Sequence, residues 1–354
     1  MNLEQKIKTL SALNAPAGFE DAATRVIPDL LAPSTDSLSV DVMGNIIAYK
    51  YKPAINANDD ISGNDDKTQT LMLTAHMDEI GLIVTGIRDG FLLFDTLGGI
   101  DPRQLSAREV YVLADEPLFG VISVMPPHVL SADEQDKPVA ADKLFIDVGL
   151  SQESASLRVK LGTPVVFAAE PMNLGDGVIC GKALDNRACV AILLEIMERL
   201  QNTPLALNLC ALITVQEELG TRGASPGAFA VKPDLCVVLD ATFAKTPDSP
   251  AAKTFSMGGG PTIGVGPNMN RALTKRVFDT AESLEIKCQT EVLHASSGTD
   301  AWPIQISREG IRTALVSLPV KYMHSPVEVM SLSDAEAMVN LLVKFLREIA
   351  EGIL

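Results

Sequence analysis

The sequence is short of histidine, tryptophan and cationic side chains. Its 354 residues hold four histidines and one tryptophan, and Lys+Arg number 29 against 45 Asp+Glu, a formal net charge of −16. That shortfall disfavours a nucleic-acid binder, because phosphate would be repelled by such a field. Long apolar runs are also missing. No stretch of about 18 consecutive apolar residues occurs, so no transmembrane helix or membrane partner is expected. The opening MNLEQKIKTLSALNAP has no apolar run after a basic stretch and reads as an amphipathic helix rather than a secretory signal. Cysteine is sparse. Cys180, Cys189, Cys210, Cys236 and Cys288 include no CxxC pair, and Cys210 and Cys236 sit in apolar runs, where a thiol behaves as a small hydrophobe. This argues against a disulfide framework or a zinc ribbon and fits a cytoplasmic location. Any imidazole-based site must draw on His76, His128, His294 and His324.

What is present is core material: 47% of the residues are hydrophobic. Disorder is thereby excluded, and the length suggests two domains. Three zones differ in pattern. Up to residue 78 come a helix, a hairpin signal around Gly44-Asn45 in SLSVDVMGNIIAYK, a polar stretch at 53–69 that reads as an exposed loop, and the apolar run LMLTA. From 79 to 167 short apolar runs alternate with Gly, Pro and Asp, as in FLLFDTLGG, EVYVLAD and LFGVISVMP, which predicts a small β-barrel or sandwich. From 168 helix and strand alternate. DNRACVAILLEIMERL is helical with Ile192, Ile196 and Leu200 on one stripe, and LNLCALITV, LCVVL and TALVSLP are continuous apolar runs expected of strands buried on both faces. The expected fold is therefore α/β: a mixed, largely parallel sheet flanked by helices on both faces, formed by 1–78 and 168–354, with 79–167 inserted as a small β-barrel.

In an open α/β sheet ligands bind beyond the carboxyl ends of the strands. After LMLTA stand His76 and Asp78; after LITV, Glu217 and Glu218; after LCVVL, Asp240; shortly after TALVSLP, His324; and Asp185 precedes the helix at 188. Alone, each has a plain reading. A His after a strand is usually a hydrogen-bonded residue, an Asp before a helix is an N-terminal acid, and a Glu pair is usually solvated. Together they fall on one rim. Mixed imidazole and carboxylate donors suit Zn²⁺, Co²⁺ or Mn²⁺ better than a thiolate site would. The number of donors suggests two metals bridged by one carboxylate, with one acid left to take a proton from water. Adjacent Glu217 and Glu218 leave the strand in different directions, so one can hold metal while the other faces substrate. Asp78 could fix the tautomer of His76.

The stretches AHMDEIGLIV, PPHVLS, LFIDVGL, GKALDNRA, VQEELGTRGA, VVLDAT, SSGTDA and YMHSPVE run in order along nearly the whole chain. As a set they resemble the tetrahedral aminopeptidases, the glutamyl-aminopeptidase family of dinuclear metallopeptidases. The resemblance implies a phosphorylase/hydrolase-like catalytic domain with a PDZ-like or barrel-like insert used for dimerisation. It implies that His76 and Asp240 hold one metal, Glu218 and His324 the other, and Asp185 bridges them. Glu217 would be the general base acting on a metal-bridged water, and Asp78 the partner of His76. It implies two divalent ions per subunit (Zn or Co, with Mn possible), short peptide substrates, and dimers building a tetrahedral dodecamer. The chain departs from the family at Asn186, Cys189 and SSGTDA. Cys189, one turn past Asp185, suggests a route for oxidation to disturb the bridge. Rival readings are a related metal-dependent deacylase or carboxypeptidase, then a glucanase, then a non-enzymatic scaffold. No Gly-x-Ser-x-Gly elbow argues for a serine hydrolase. His128 and His294 read as structural or solvent-facing, Asp300 as shaping a loop near the site, and the glycines at 258–260 as a turn.

Overall fold

A computed structural model describes residues 1–51, 68–123, 125–129 and 141–352. Most of the 53–69 loop lies outside them. The described residues form a large mixed sheet and a closed barrel. Four strands at the centre of the sheet are parallel: Asn208–Thr214, Thr70–His76, Leu235–Phe243 and Arg312–Lys321, in that order. Antiparallel strands flank them. On one side lies the hairpin Ser37–Val40 with Ile46–Lys50, and on the other Glu328–Ser331, Val178–Gly181 and Met172–Asn173. The hairpin turn runs over Asp41–Asn45, longer than a two-residue turn. One Asp41 oxygen accepts the backbone N–H groups of Met43, Gly44 and Asn45, and Gly44 takes a φ of 101°.

Strict alternation of apolar side chains explains why the central strands read as unbroken runs. Leu71, Leu73 and Ala75 enter one core while Met72 enters the other, and Leu235, Val237 and Leu239 oppose Cys236 and Val238 in the same way. The larger core is covered by helices Leu3–Ser11, Asp21–Leu31, Leu184–Leu200, Arg271–Ser283 and Leu332–Ala350. The smaller is covered by Ala224–Val231 and Ala301–Ile304. Helix Leu184–Leu200 departs from the single-stripe expectation. It is buried almost all round, because it lies between the sheet and the helices Leu3–Ser11 and Leu332–Ala350. No helix among the described residues is long and apolar enough to cross a membrane.

The barrel closes through Gly81–Arg88, Phe91–Leu97, Ile146–Asp147, Leu118–Ile122, Glu109–Val112 and Pro164–Phe167. Its interior is mostly aliphatic, with Leu82, Val84, Leu92, Val110, Ile122, Ile146 and Val165 buried together beside Phe94 and Phe167. In the chain it follows the strand ending at His76 and precedes the rest of the sheet, so it is an insertion into the α/β unit.

A buried arginine ties the N-terminal segment to this frame. Arg187 is fully buried, and its guanidinium donates to the carbonyls of Met77, Leu10, Leu13 and Ala15 and to Glu79. Lys182 grips the same Glu79 carboxylate at 2.7 Å and the Leu13 carbonyl at 2.8 Å. Burial pushes the Glu79 carboxyl up, but Lys182 and Arg187 outweigh it and hold the group below its ordinary range. Arg187→Met strands several carbonyls and is expected to cost about 3–5 kcal/mol, read as a lowered urea midpoint. An unchanged midpoint would show that the segment is held by packing alone.

Candidate metal centre

The parallel register aligns the rim. His76 pairs with Thr214, and because Thr74 pairs with Val238, Asp240 two residues on stands level with His76. Asp185 sits at the start of helix Leu184–Leu200 with φ/ψ outside the helical region, and His324 takes a φ of 60° after strand Arg312–Lys321. Gln216 has a φ of 56°, which turns the chain so that Glu217 and Glu218 face the other strand ends.

These residues converge. His76 Nε2 lies 3.3 Å from Asp185 Oδ1, 3.8 Å from Asp240 Oδ1 and 3.9 Å from Glu217 Oε2. His324 Nε2 lies 3.4 Å from Asp185 Oδ2 and 3.3 Å from Glu218 Oε1. Donor atoms within 4.8 Å of one another come from His76, Asp185 and Asp240 in one group and from Asp185, Glu218 and His324 in another, so Asp185 belongs to both. A further group joins His76 with Glu217 and Glu218.

Backbone carbonyls orient both rings. Nδ1 of His76 faces the Asp78 carbonyl at 3.2 Å, and Nδ1 of His324 faces the Gly99 carbonyl at 2.8 Å. A carbonyl only accepts, so Nδ1 carries a hydrogen and each Nε2 faces the rim carboxylates, where a divalent cation could take the place of its proton. Gly99 belongs to the inserted segment, as does Gln104, whose amide donates to the His324 carbonyl at 2.9 Å. Gly98, at a φ of 85°, allows this close approach: a Cβ there would stand 2.9 Å from Ile80 Cγ2 and 3.2 Å from Glu218 Oε2.

Asp78 does more than the expected pairing. Its Oδ1 is 3.4 Å from His76 Nδ1, and its two oxygens accept the backbone N–H groups of Glu217 and Glu218 at 3.0 Å. It thereby fixes the turn that carries both glutamates. Glu328 was not singled out in the sequence. It is buried and accepts from the backbone N–H of Asp185 and of His324, each at 2.9 Å. Its only signal was its place four residues beyond His324, in YMHSPVE. Asp300 is buried and accepts from the Thr214 hydroxyl at 2.5 Å at the end of a rim strand. His128 and His294 are exposed and lie outside the cluster, and the glycines at 258–260 form a turn whose N–H groups at Gly258 and Gly260 bond to Asp334. Cys189 is fully buried, its thiol donates to the Asp240 carbonyl, and burial pushes its pKa far up. The oxidation route expected of it is therefore closed to solvent.

The electrostatics call for cations. Burial, with Asp240, Asp300 and Glu218 nearby, outweighs the attraction of His76 and pushes the Glu217 carboxyl up to about 10. Burial drives Asp240 up as well, and Glu218 to a lesser degree. Asp185 goes the other way. Burial raises it, but hydrogen bonds to His324 and His76 prevail and hold it low. Burial lowers His324, yet Asp185 and Glu218 push it up to about 12. The residues present thus fit divalent cations: two oriented imidazoles and buried carboxylates that outnumber them, whose ionised forms a cation would favour.

Fold and site together define a class: α/β proteins with a rim of imidazoles and carboxylates at the strand ends that could hold metal. The model of the M42 glutamyl aminopeptidase family matches residues 58–341, and the chain belongs to that family. It is therefore a metal-dependent peptide hydrolase that removes N-terminal residues. Among its relatives is a lysyl aminopeptidase of Pyrococcus furiosus, 33% identical over 339 residues, covering 94% of this chain and 93% of the relative. A TET aminopeptidase from a marine-sediment Thaumarchaeota archaeon superposes with a TM-score of 0.90 at 29% identity, covering 99% of both chains. The Pyrococcus horikoshii TET1 peptidase, described as assembling into a tetrahedron or a large octahedral shell, superposes with a TM-score of 0.83 at 28% identity over 98% of this chain and all of that one.

Proposed function

We propose that the rim is a dinuclear centre in which Asp185 bridges two ions, His76 and Asp240 complete one site, and Glu218 and His324 complete the other. The observation that carries this reading is the pair of donor groups that share Asp185. The donor types suit Zn or Co, and Mn is also compatible. Bound there, the ions would polarise the scissile carbonyl and ease the ionisation of water. Glu217 takes a proton from the attacking water and hands it to the leaving amine, a role supported by its burial beside other acids and by its place outside both groups that share Asp185. Asp78 and Glu328 act as positioning residues for the histidines, the glutamate turn and the bridge. The free α-amine of the substrate is drawn to the acidic rim, which accounts for action at the chain terminus. Residues 1–78 and 168–354 form the catalytic domain in this reading, and 79–167 form the dimerisation insert. Dimers then build a homo-oligomeric shell, with the tetrahedral dodecamer as the expected form in the cytoplasm.

The test is chelation followed by titration with each metal, assayed on unblocked aminoacyl amides, N-acylated amino acids and C-terminal substrates. Hydrolysis of the unblocked amides alone, returning in full at two ions per chain, is the expected result. Hydrolysis confined to acylated or C-terminal substrates would make the protein a deacylase or carboxypeptidase. A glucanase would need two carboxylates free of metal across the scissile bond. Glu328→Gln is expected to weaken metal binding about 10- to 100-fold, measured by competition with a chelator. Unchanged affinity would assign Glu328 to the fold.

A further inference from the structure

The pocket at the rim contains a carboxylate that hydrolysis does not use. Glu291 lies on strand Gln289–Val292 and lines the same cavity, about 200 Å³, as His76, Asp185, Glu217 and Asp240. The Thr242 hydroxyl donates to its Oε1 at 2.8 Å and the Thr262 hydroxyl to its Oε2 at 3.2 Å. A carboxylate has about four lone-pair positions, so two remain free. Ser317 lines the cavity too. Its buried hydroxyl makes no hydrogen bond of normal geometry among the described residues, although it is near enough to favour ionised Glu291. Among the described residues, no Lys or Arg lines this cavity. Leu315, Phe243 and Met323 supply apolar wall.

Spacing adds direction. Thr242 follows Asp240 by two residues on strand Leu235–Phe243, so the two side chains share a face about 7 Å apart. Its hydroxyl holds Glu291, which puts the carboxylate a long side chain's length along the pocket from the ligand cluster. A terminal ammonium there would meet the free lone pairs of Glu291 and the Ser317 hydroxyl. Its four-carbon stem would lie along the apolar wall.

We propose that Glu291 is a specificity-determining residue, and that the pocket selects peptides whose N-terminal side chain is long and cationic, lysyl foremost. The proposal deepens the aminopeptidase reading and rests on it. An acidic N-terminal side chain would meet like charge in a partly desolvated place and be rejected. Burial pushes the Glu291 carboxyl up while the surrounding hydroxyls hold it down, and an entering cation would favour the ionised form.

The experiment compares lysyl with norleucyl amides on the metal-loaded enzyme, because norleucine keeps the four-carbon stem and lacks the ammonium. Lysyl is expected to lead by about 10- to 100-fold in kcat/KM, mostly through KM, with glutamyl the poorest. Glu291→Gln should bring the lysyl-to-norleucyl ratio close to one, and Glu291→Asp should leave it intermediate. A wild-type ratio at or below one overturns the proposal, as does an unchanged ratio in Glu291→Gln. The wild-type ratio decides by itself if the variants do not fold. Failure to hydrolyse any unblocked amide would count against the peptidase chemistry instead. Calorimetric binding of lysinamide against norleucinamide then decides the pocket separately: tighter lysinamide supports it, and equal binding overturns it.

Discussion

Glu217→Gln is expected to lower kcat by roughly 10²- to 10⁴-fold while metal content stays at the wild-type level. The amide keeps the size of the side chain and loses the ability to take a proton. Among the rim acids Glu217 belongs to neither group built on Asp185, while its Oε2 lies 3.9 Å from His76 Nε2. In the proposed centre it would stand beside the reacting atoms without being needed to hold the two ions that share Asp185. The backbone of the turn is fixed from outside by Asp78, which the substitution leaves in place. Elemental analysis beside turnover separates a lost base from a lost ligand. Near-normal turnover would remove Glu217 from the proton path, and loss of metal would move it into the ligand set.

Asp185→Asn is expected to have the other large effect, removing more than roughly 10³-fold of activity because both sites lose their shared ligand. Its two oxygens face different histidines, Oδ1 toward His76 and Oδ2 toward His324, each within 3.4 Å. An amide offers one weaker oxygen and turns an N–H group toward one of the rings. The metal stoichiometry should fall well below two ions per chain, whereas His324→Ala should remove one ion and leave the other. Two ions retained in Asp185→Asn would show that the carboxylate does not bridge, and full occupancy in His324→Ala would contradict the role of that ring.

The central sheet was legible because strands covered on both faces need unbroken apolar runs, and LMLTA, LNLCALITV, LCVVL and TALVSLP each became one. Their carboxyl ends located the rim, and His76, Asp185, Glu217, Glu218, Asp240 and His324 meet there. The barrel was legible from its short alternating runs. Less of the support was readable. Glu328 meets Asp185, and Glu291 meets Thr242 and Thr262, only through the tertiary fold, and an isolated Glu in a strand has no local signature. The reach of Gly99 and Gln104 into the site was hidden too, because only closure of the barrel against the sheet brings them to His324. Arg187 lies in a helical stretch and carries no separate sequence signal, because its burial depends on where the N-terminal segment docks. The Leu184–Leu200 helix looked one-sided because its sequence does not announce that other helices cover its back.

The grip of Arg187 also has a mechanical side. The side chain holds the Met77 carbonyl, between His76 and Asp78, and does so together with the carbonyls of Leu10, Leu13 and Ala15. It stands two residues from Asp185 on the same helix. Until the N-terminal segment has docked, the strand end that presents His76 lacks one of its restraints, and so does the helix start that presents Asp185. Seating of the N-terminal segment and placement of His76 and Asp185 are thereby coupled through one side chain. The first turns of the chain thus serve as a brace for the metal-binding rim as well as part of the core.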